Sequence, residues 1–284
     1  MDLGESLMKL QEAELEILTV VDKLCDEHGI TYWLDGGSAL GASRHQGFIP
    51  WDDDIDIGMM REDYDRFLEI AETGLPSGYS LHTCLNTSGF AALFAKVYKD
   101  GTRFETQETR NAGCQQGIFI DVFPFDLAFA DAKLYKAQVW TASIAQKRSY
   151  LYHSRDISVP GRGLLGSFEK AACRLAHSIE KAVSHGPFSY ISKFNSVLAD
   201  GSSDNVCLNK HVCLLWQKPY LFDDSVLVPT RNVEFEGLQF PAPGNLDKYL
   251  VAHYGDWRVL PAPEDRHTHL PLLIDFGDGS IWES

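Results

Sequence analysis

The run WDDDIDIG places four aspartates within the five positions 52–56 and passes straight into isoleucine and glycine. On an extended chain alternate side chains share a face, so Asp52, Asp54 and Asp56 point one way while Ile55 and Ile57 point toward a core. Residues two apart lie about 6.5–7 Å from each other. Carboxylates held that close repel unless a cation compensates them, and an all-oxygen donor set selects a hard divalent ion, Mg²⁺ or Mn²⁺. A solvated acidic turn is the plainer reading, but the flanking Trp51, Ile55 and Ile57 argue against simple exposure. A calcium loop of the EF-hand type starting at Asp52 would need glycine at 57 and glutamate at 63, where the chain has Ile57 and Asp63.

Just upstream, GGSALGASRHQG supplies parts suited to a phosphate: Gly36 and Gly37 for close backbone approach, the Ser38 hydroxyl, the free N–H groups of a helix start, and Arg44. The segment matches neither the Walker spacing nor the dinucleotide G-x-G-x-x-G pattern, so its weight comes from its closeness to the aspartates. Downstream, GIFIDVFPFD sets Asp121 in a run that otherwise asks to be buried. An isolated buried aspartate needs a partner. Asp121 is therefore a candidate ligand for a second metal or a base for an attacking hydroxyl, with pairing to backbone or arginine as the structural alternative. The pair His267 and His269 in DRHTH suggests a metal seat, but no third ligand of zinc type stands nearby.

Several elements must position these groups. Leu7, Leu10, Ala13, Ile17, Val21 and Leu24 recur every three or four residues, predicting an amphipathic helix that stops at His28-Gly29. ITYWLD reads as a strand leading through a glycine turn into a short helix, DIDIGM as a half-buried strand, and REDYDRFLEIAE as a helix. FAKVYK and GIFIDVFPF read as further strands. Residues 131–199 are mostly helical in pattern, broken at ISVPGRGLLG, and the rest is proline-rich and aromatic with short strand-like runs and one brief helix. This mixture is an α+β pattern.

With 284 residues, 44% hydrophobic, the chain is ample for a packed core. A net charge of −15 disfavours nucleic acid and anionic lipid as general partners. The N-terminus lacks a signal-peptide pattern, and no apolar run nears the roughly 20 residues that span a bilayer, so a soluble cytoplasmic protein without an integral membrane segment is expected. Six scattered cysteines without a C-x-x-C pair indicate reduced, mostly buried thiols.

The stretch WLDGGSALGASRHQGFIPWDDDIDIGM closely resembles the signature of the LicD family, and the likeness extends to FAKVYKDGTRF, GIFIDVFPFD and YLVAHYGDWRVLPAPEDRHTH. It covers roughly half of the chain and leaves out the helical middle. The resemblance implies a nucleotidyltransferase-type fold: a mixed β-sheet core with flanking helices over 1–130, a helical segment over 131–215 packed on it, and a C-terminal segment over 216–284 completing the same domain. By position, Gly37 and Ser38 resemble the glycine-serine element of that fold, Asp54 and Asp56 its paired metal ligands, and Asp121 its third carboxylate, with Asp52 as an additional one. Lys96 and Arg44 fall in family blocks and, on charge, are candidates for donor phosphate contacts; Arg266 and His269 have no assigned role.

What the resemblance implies chemically is transfer of a substituted phosphate, such as phosphocholine, from a CDP-activated donor to a glycan or glycolipid hydroxyl, with release of CMP and with Mg²⁺ or Mn²⁺ as cofactor. An acceptor bound to lipid would put the reaction at the inner face of a membrane. Choline would call for aromatic faces, for which Trp216, Tyr220, Tyr254 and Trp257 are among many candidates. The rival expectations are a metal-dependent glycosyltransferase or nucleotidyltransferase, and a non-catalytic nucleotide- or glycan-binding protein.

Overall fold

The computed structural model describes residues 1–155, 163–199, 201, 205–262, 266, 268 and 271–284. Helix α1 (Leu3–His28) opens with a reciprocal cap, in which Asp2 accepts from the Glu5 N–H and Glu5 accepts from the Asp2 N–H, and closes on Gly29. Its buried face carries the expected Leu10, Ala13, Ile17, Val21 and Leu24, and also Glu14.

The elements that follow are β1 (Trp33–Leu34), α2 (Gly36–His45), β2 (Asp56–Met60), α3 (Arg61–Gly74), β3 (Tyr79–His82), β4 (Ala95–Lys99), β5 (Arg103–Glu105), α4 (Gln107–Ala112) and the long β6 (Ile118–Phe129). The helical middle is α5 (Ala132–His153), α6 (Gly163–Val183) and α7 (Pro187–Asn195). The C-terminal part contributes β7 (Val206–Val212), β8 (Leu221–Asp223), α8 (Asp224–Leu227), the hairpin β9 (Arg231–Phe235) and β10 (Leu238–Ala242), α9 (Leu246–Tyr254), β11 (Leu273–Asp275) and β12 (Ile281–Glu283).

The fold is α+β around a mixed sheet of order β1-β2-β6-β4-β3. Strands β2 and β6 run parallel, and the other pairs on this path are antiparallel. The second half of β6 passes its edge to β7, which in turn pairs with β8. Strand β11 pairs with both β5 and β12, so the end of the chain is tied back to its first half. Trp33, Ile55, Ile57, Val97, Ile120, Val122 and Phe125 are fully buried.

Three details depart from the expected elements. ITYWLD contributes only Trp33–Leu34 as strand, because Asp35 already begins the turn into α2. The strand expected from DIDIGM starts at Asp56: β1 ends opposite Ile57, and the Asp35 N–H then donates to the Asp56 carbonyl at 2.9 Å, where the ladder on that side stops among the described residues. On the other side the Asp121 N–H donates to the Ile55 carbonyl at 2.9 Å, which keeps the approach extended. Finally, the break expected at ISVPGRGLLG lies mainly outside the described residues, and its last residues, from Gly163, begin α6. All six cysteines are free thiols; Cys25, Cys114 and Cys213 are buried.

Candidate active site

The alternation read from the sequence sorts the aspartates even without a continuous strand. Ile55 and Ile57 are buried, while Asp52, Asp54 and Asp56 keep partial access to solvent. Asp53 falls on the inner side with the isoleucines and is buried. In the sheet, Asp56 stands directly opposite Asp121 on the parallel β2–β6 ladder, and Asp121 directly opposite Lys96 on the antiparallel β6–β4 ladder. Neighbouring strands are about 4.8 Å apart, so carboxylate, carboxylate and ammonium form one row on one face of the sheet. The Lys96 ammonium donates to Asp121 Oδ1 at 2.5 Å and lies 3.3 Å from the centroid of the Phe119 ring.

The turn at 35–38 meets this row from the β2 side. The Asp56 N–H donates to Ser38 Oγ at 2.9 Å, so the hydroxyl expected to serve a phosphate also fixes the backbone of a catalytic candidate. Gly36 has a φ of +47°, and a Cβ there would sit 3.2 Å from Asp56 Oδ2; at Gly37 it would sit 2.9 Å from Asp52 Oδ2. Both positions need glycine, because the helix start is pressed against the carboxylates. Asp35 is fully buried: Tyr249 of α9 donates its hydroxyl proton to Asp35 Oδ1, the Trp33 indole N–H donates to the same oxygen at 3.3 Å, and Oδ2 has no partner among the described residues. The Gly36 N–H donates to the Tyr249 hydroxyl oxygen at 2.9 Å, so one phenol holds both sides of the turn.

The segment between α2 and the aspartates is clamped at two points. Glu236, at the tip of the β9–β10 hairpin, accepts from the Phe48 N–H at 3.0 Å, and its own N–H donates to the Gln46 carbonyl at 2.9 Å. At the other end Gln11 of α1 donates to the Asp52 carbonyl at 2.9 Å.

Burial and mutual repulsion raise the proton affinity of the cluster. Asp52 is pushed up to about 8 by burial and by Asp54 and Asp53, against the pull of Arg44. Asp56 is raised by burial, then by Asp54, Asp121, Asp35 and Asp52. Asp121 is raised by burial, with Lys96 opposing, and Asp35 is pushed up to about 7 by burial, with the Tyr249 and Trp33 hydrogen bonds and the nearby Gly36 N–H opposing. Groups crowded this way have an unmet demand for positive charge.

Among the described residues no three His, Cys, Asp or Glu side chains converge as a ready-made metal cage. The donor chemistry nevertheless fits Mg²⁺ or Mn²⁺, since Mg²⁺ keeps several waters and is held by one or two carboxylates together with substrate phosphates. Asp54 and Asp56 would hold it, with Asp52 and Asp121 beside them.

Residues 29–164 match the family model described as LicD/FKTN/FKRP, nucleotidyltransferase domain. Over 273 residues the chain is 29% identical to the lipopolysaccharide cholinephosphotransferase LicD of Haemophilus influenzae, covering 92% of this chain and 96% of the relative. The chain is similar to the LicD family, over the matched domain and along most of its length. Shorter likenesses reach the ribitol 5-phosphate transferase FKRP of Mus musculus, 34% identical over 34% of this chain and 17% of the relative, and the ribitol-5-phosphate transferase FKTN of the same animal, 35% identical over 24% of this chain and 15% of the relative.

The span matched to the LicD model holds Gly36, Gly37, Ser38, Arg44, the aspartates, Lys96 and Asp121; Glu14, Tyr249, Tyr254 and Arg266 lie outside it. Arg44 donates to the Trp257 carbonyl at 3.2 Å, and burial lowers its proton affinity, with Tyr254 and Asp52 pulling it up and Arg266 pushing it down. Arg266, which has no role in the sequence reading, lies with its guanidinium 4.7 Å from the centroid of the Trp51 ring. His267 and His269 lie outside the described residues. Of the four aromatics named for choline, Trp216 and Tyr220 pack around His253, and Trp257 donates to Asp247 at 3.2 Å. Tyr254 is the one whose phenol feels Asp56, Asp35, Asp52 and Asp54.

Proposed function

We propose that the chain is a cation-dependent phosphotransferase that moves a substituted phosphate, phosphocholine, from a CDP-activated donor onto a hydroxyl of a glycan or glycolipid and releases CMP. The observation that carries this reading is the row Asp56–Asp121–Lys96 across three strands, with the Ser38 turn locking Asp56 from the side. The names of its relatives, a cholinephosphotransferase and two ribitol-phosphate transferases, support transfer of a substituted phosphate.

A bond forms between the acceptor oxygen and the phosphorus that bears the substituent, and the bond from that phosphorus to the bridging oxygen of CMP breaks. Asp121 accepts the acceptor's proton, a task for which its raised proton affinity suits it. Lys96 and Arg44 carry charge to the donor phosphates from opposite sides of the aspartates. A divalent cation on Asp54 and Asp56 would supply electrostatic neutralisation of the pyrophosphate and the departing CMP.

Beside Lys96 opens a cavity of about 400 Å³ whose lining includes Phe90, Phe104, Phe119, Tyr150 and Glu108. Aromatic faces with one carboxylate suit a quaternary ammonium, and we place the choline of the donor there. No helix among the described residues is long and apolar enough to cross a membrane. The reading puts the reaction in the cytoplasm, at the inner membrane face for an acceptor bound to lipid.

The test is incubation of the full chain with CDP-choline, Mg²⁺ and candidate glycans, following nucleotide release and the phosphodiester by ³¹P NMR. CMP with a new phosphodiester is expected. Turnover of a nucleotide sugar to a nucleoside diphosphate would point to a glycosyltransferase instead, and nucleotide binding without turnover to a binding protein.

A further inference from the structure

Helix α1 brings one more carboxylate to the site. Glu14 is fully buried, and neither of its side-chain oxygens has a hydrogen-bond partner among the described residues. The helix packs on β4 and β6, and one turn before Glu14 the Gln11 side chain holds the carbonyl of Asp52. Residues three apart share a helix face, so Glu14 is aimed at the same stretch of chain. The charges acting on Glu14 are those of Asp54, Asp53, Asp52 and Asp121, and all four repel it.

A carboxylate removed from water with no donor on either oxygen is costly, and four like charges nearby make it costlier. Two nearby cations of the described residues are engaged elsewhere: the Lys96 ammonium is bound to Asp121, and Arg44 reaches the Trp257 carbonyl. We infer that Glu14 is an oxygen donor of the divalent-cation site, holding the ion directly or through one of its waters. This rests on the proposed reading that the aspartates bind a cation. It goes beyond that reading by recruiting a residue that lies before the matched span 29–164.

The test uses the full chain without nucleotide donor and measures Mn²⁺ binding by calorimetry and by the loss of free-ion signal in electron paramagnetic resonance. Glu14→Gln keeps shape and removes charge, and should weaken Mn²⁺ binding by about 10–100-fold. Asp56→Asn should weaken it at least as much. Glu16→Gln, on the same helix but paired with Lys99, should leave it unchanged. Should Glu14→Gln fail to fold, Glu14→Asp keeps the charge, withdraws the oxygens by one methylene and should still bind several-fold more weakly. Binding by the Glu14 variants equal to that of the unaltered chain, with Asp56→Asn defective, overturns the inference and leaves Glu14 as a buried protonated acid. Absence of Mn²⁺ binding by the unaltered chain overturns the cation reading itself, and the role of Glu14 with it.

Discussion

The hydroxyl of Ser38 accepts the backbone N–H of Asp56 at 2.9 Å, so a side chain from the first turn of α2 sets where a strand residue begins its ladder. Ser38→Ala leaves a half-buried N–H without its acceptor, a penalty of about 1 kcal/mol, and frees the aspartate to shift. Denaturant midpoints should fall accordingly and kcat should drop, while Ser38→Thr, which restores an acceptor, should recover part of both.

Asp54→Asn and Asp56→Asn are expected to abolish turnover with little loss of folding. Each replacement relieves repulsion within the cluster and removes no core contact. Circular dichroism melts run beside the CMP-release assay check this, and a fully active variant would sink the assignment of these residues.

Lys96 and Asp121 form a buried pair, and cutting one member leaves the other uncompensated. Lys96→Met should destabilise the metal-free protein by about 3–5 kcal/mol, with part of the loss recovered on adding Mg²⁺. Urea unfolding with and without Mg²⁺ measures both numbers. The double change Lys96→Met with Asp121→Leu should be far less damaging to stability than the single one.

The raised proton affinity of Asp35 gives its effect on stability a defined sign. Its folded value of about 7 lies above the unfolded value of about 3.9, so the folded state holds the proton more tightly. Stability from this group is present in full below about pH 4 and is lost as the pH rises toward 7. The urea midpoint should therefore fall over that window, and Asp35→Asn should flatten the fall. A slope unchanged by the substitution would place the effect in other groups.

Arg266 stacks on Trp51 beside the aspartates and acts on Arg44, which suits it to the donor's phosphates. Arg266→Ala should raise KM for the donor by roughly tenfold with a smaller change in kcat, the mark of binding shared by ground and transition states.

Much of this site is readable from the chain itself. The period of two sorts Asp52, Asp54 and Asp56 from Ile55 and Ile57, and an acidic residue inside GIFIDVFPF marks Asp121 as needing a partner. The partner is Lys96, which its charge alone assigns to phosphate; only strand order puts it opposite Asp121, and periodicity carries no information on strand order. Glu14 is hidden in the sequence because an apolar stripe is defined by its apolar members. Yet it stands four residues after Leu10 and three before Ile17, on that same stripe, and a glutamate in such a place is the signal. Tyr249 left no local trace, since its bonds to Asp35 and Gly36 close a loop of more than 200 residues.

The clamps on either side of the aspartate approach fix more than position. Glu236 holds Gln46 and Phe48, and Gln11 holds Asp52, so the chain between them has little conformational freedom left to lose. Ordering entropy is spent when the protein folds, before any nucleotide arrives. Loosening either clamp, by Glu236→Ala or Gln11→Ala, would shift that cost to the moment of binding and slow turnover at a distance from every reacting atom.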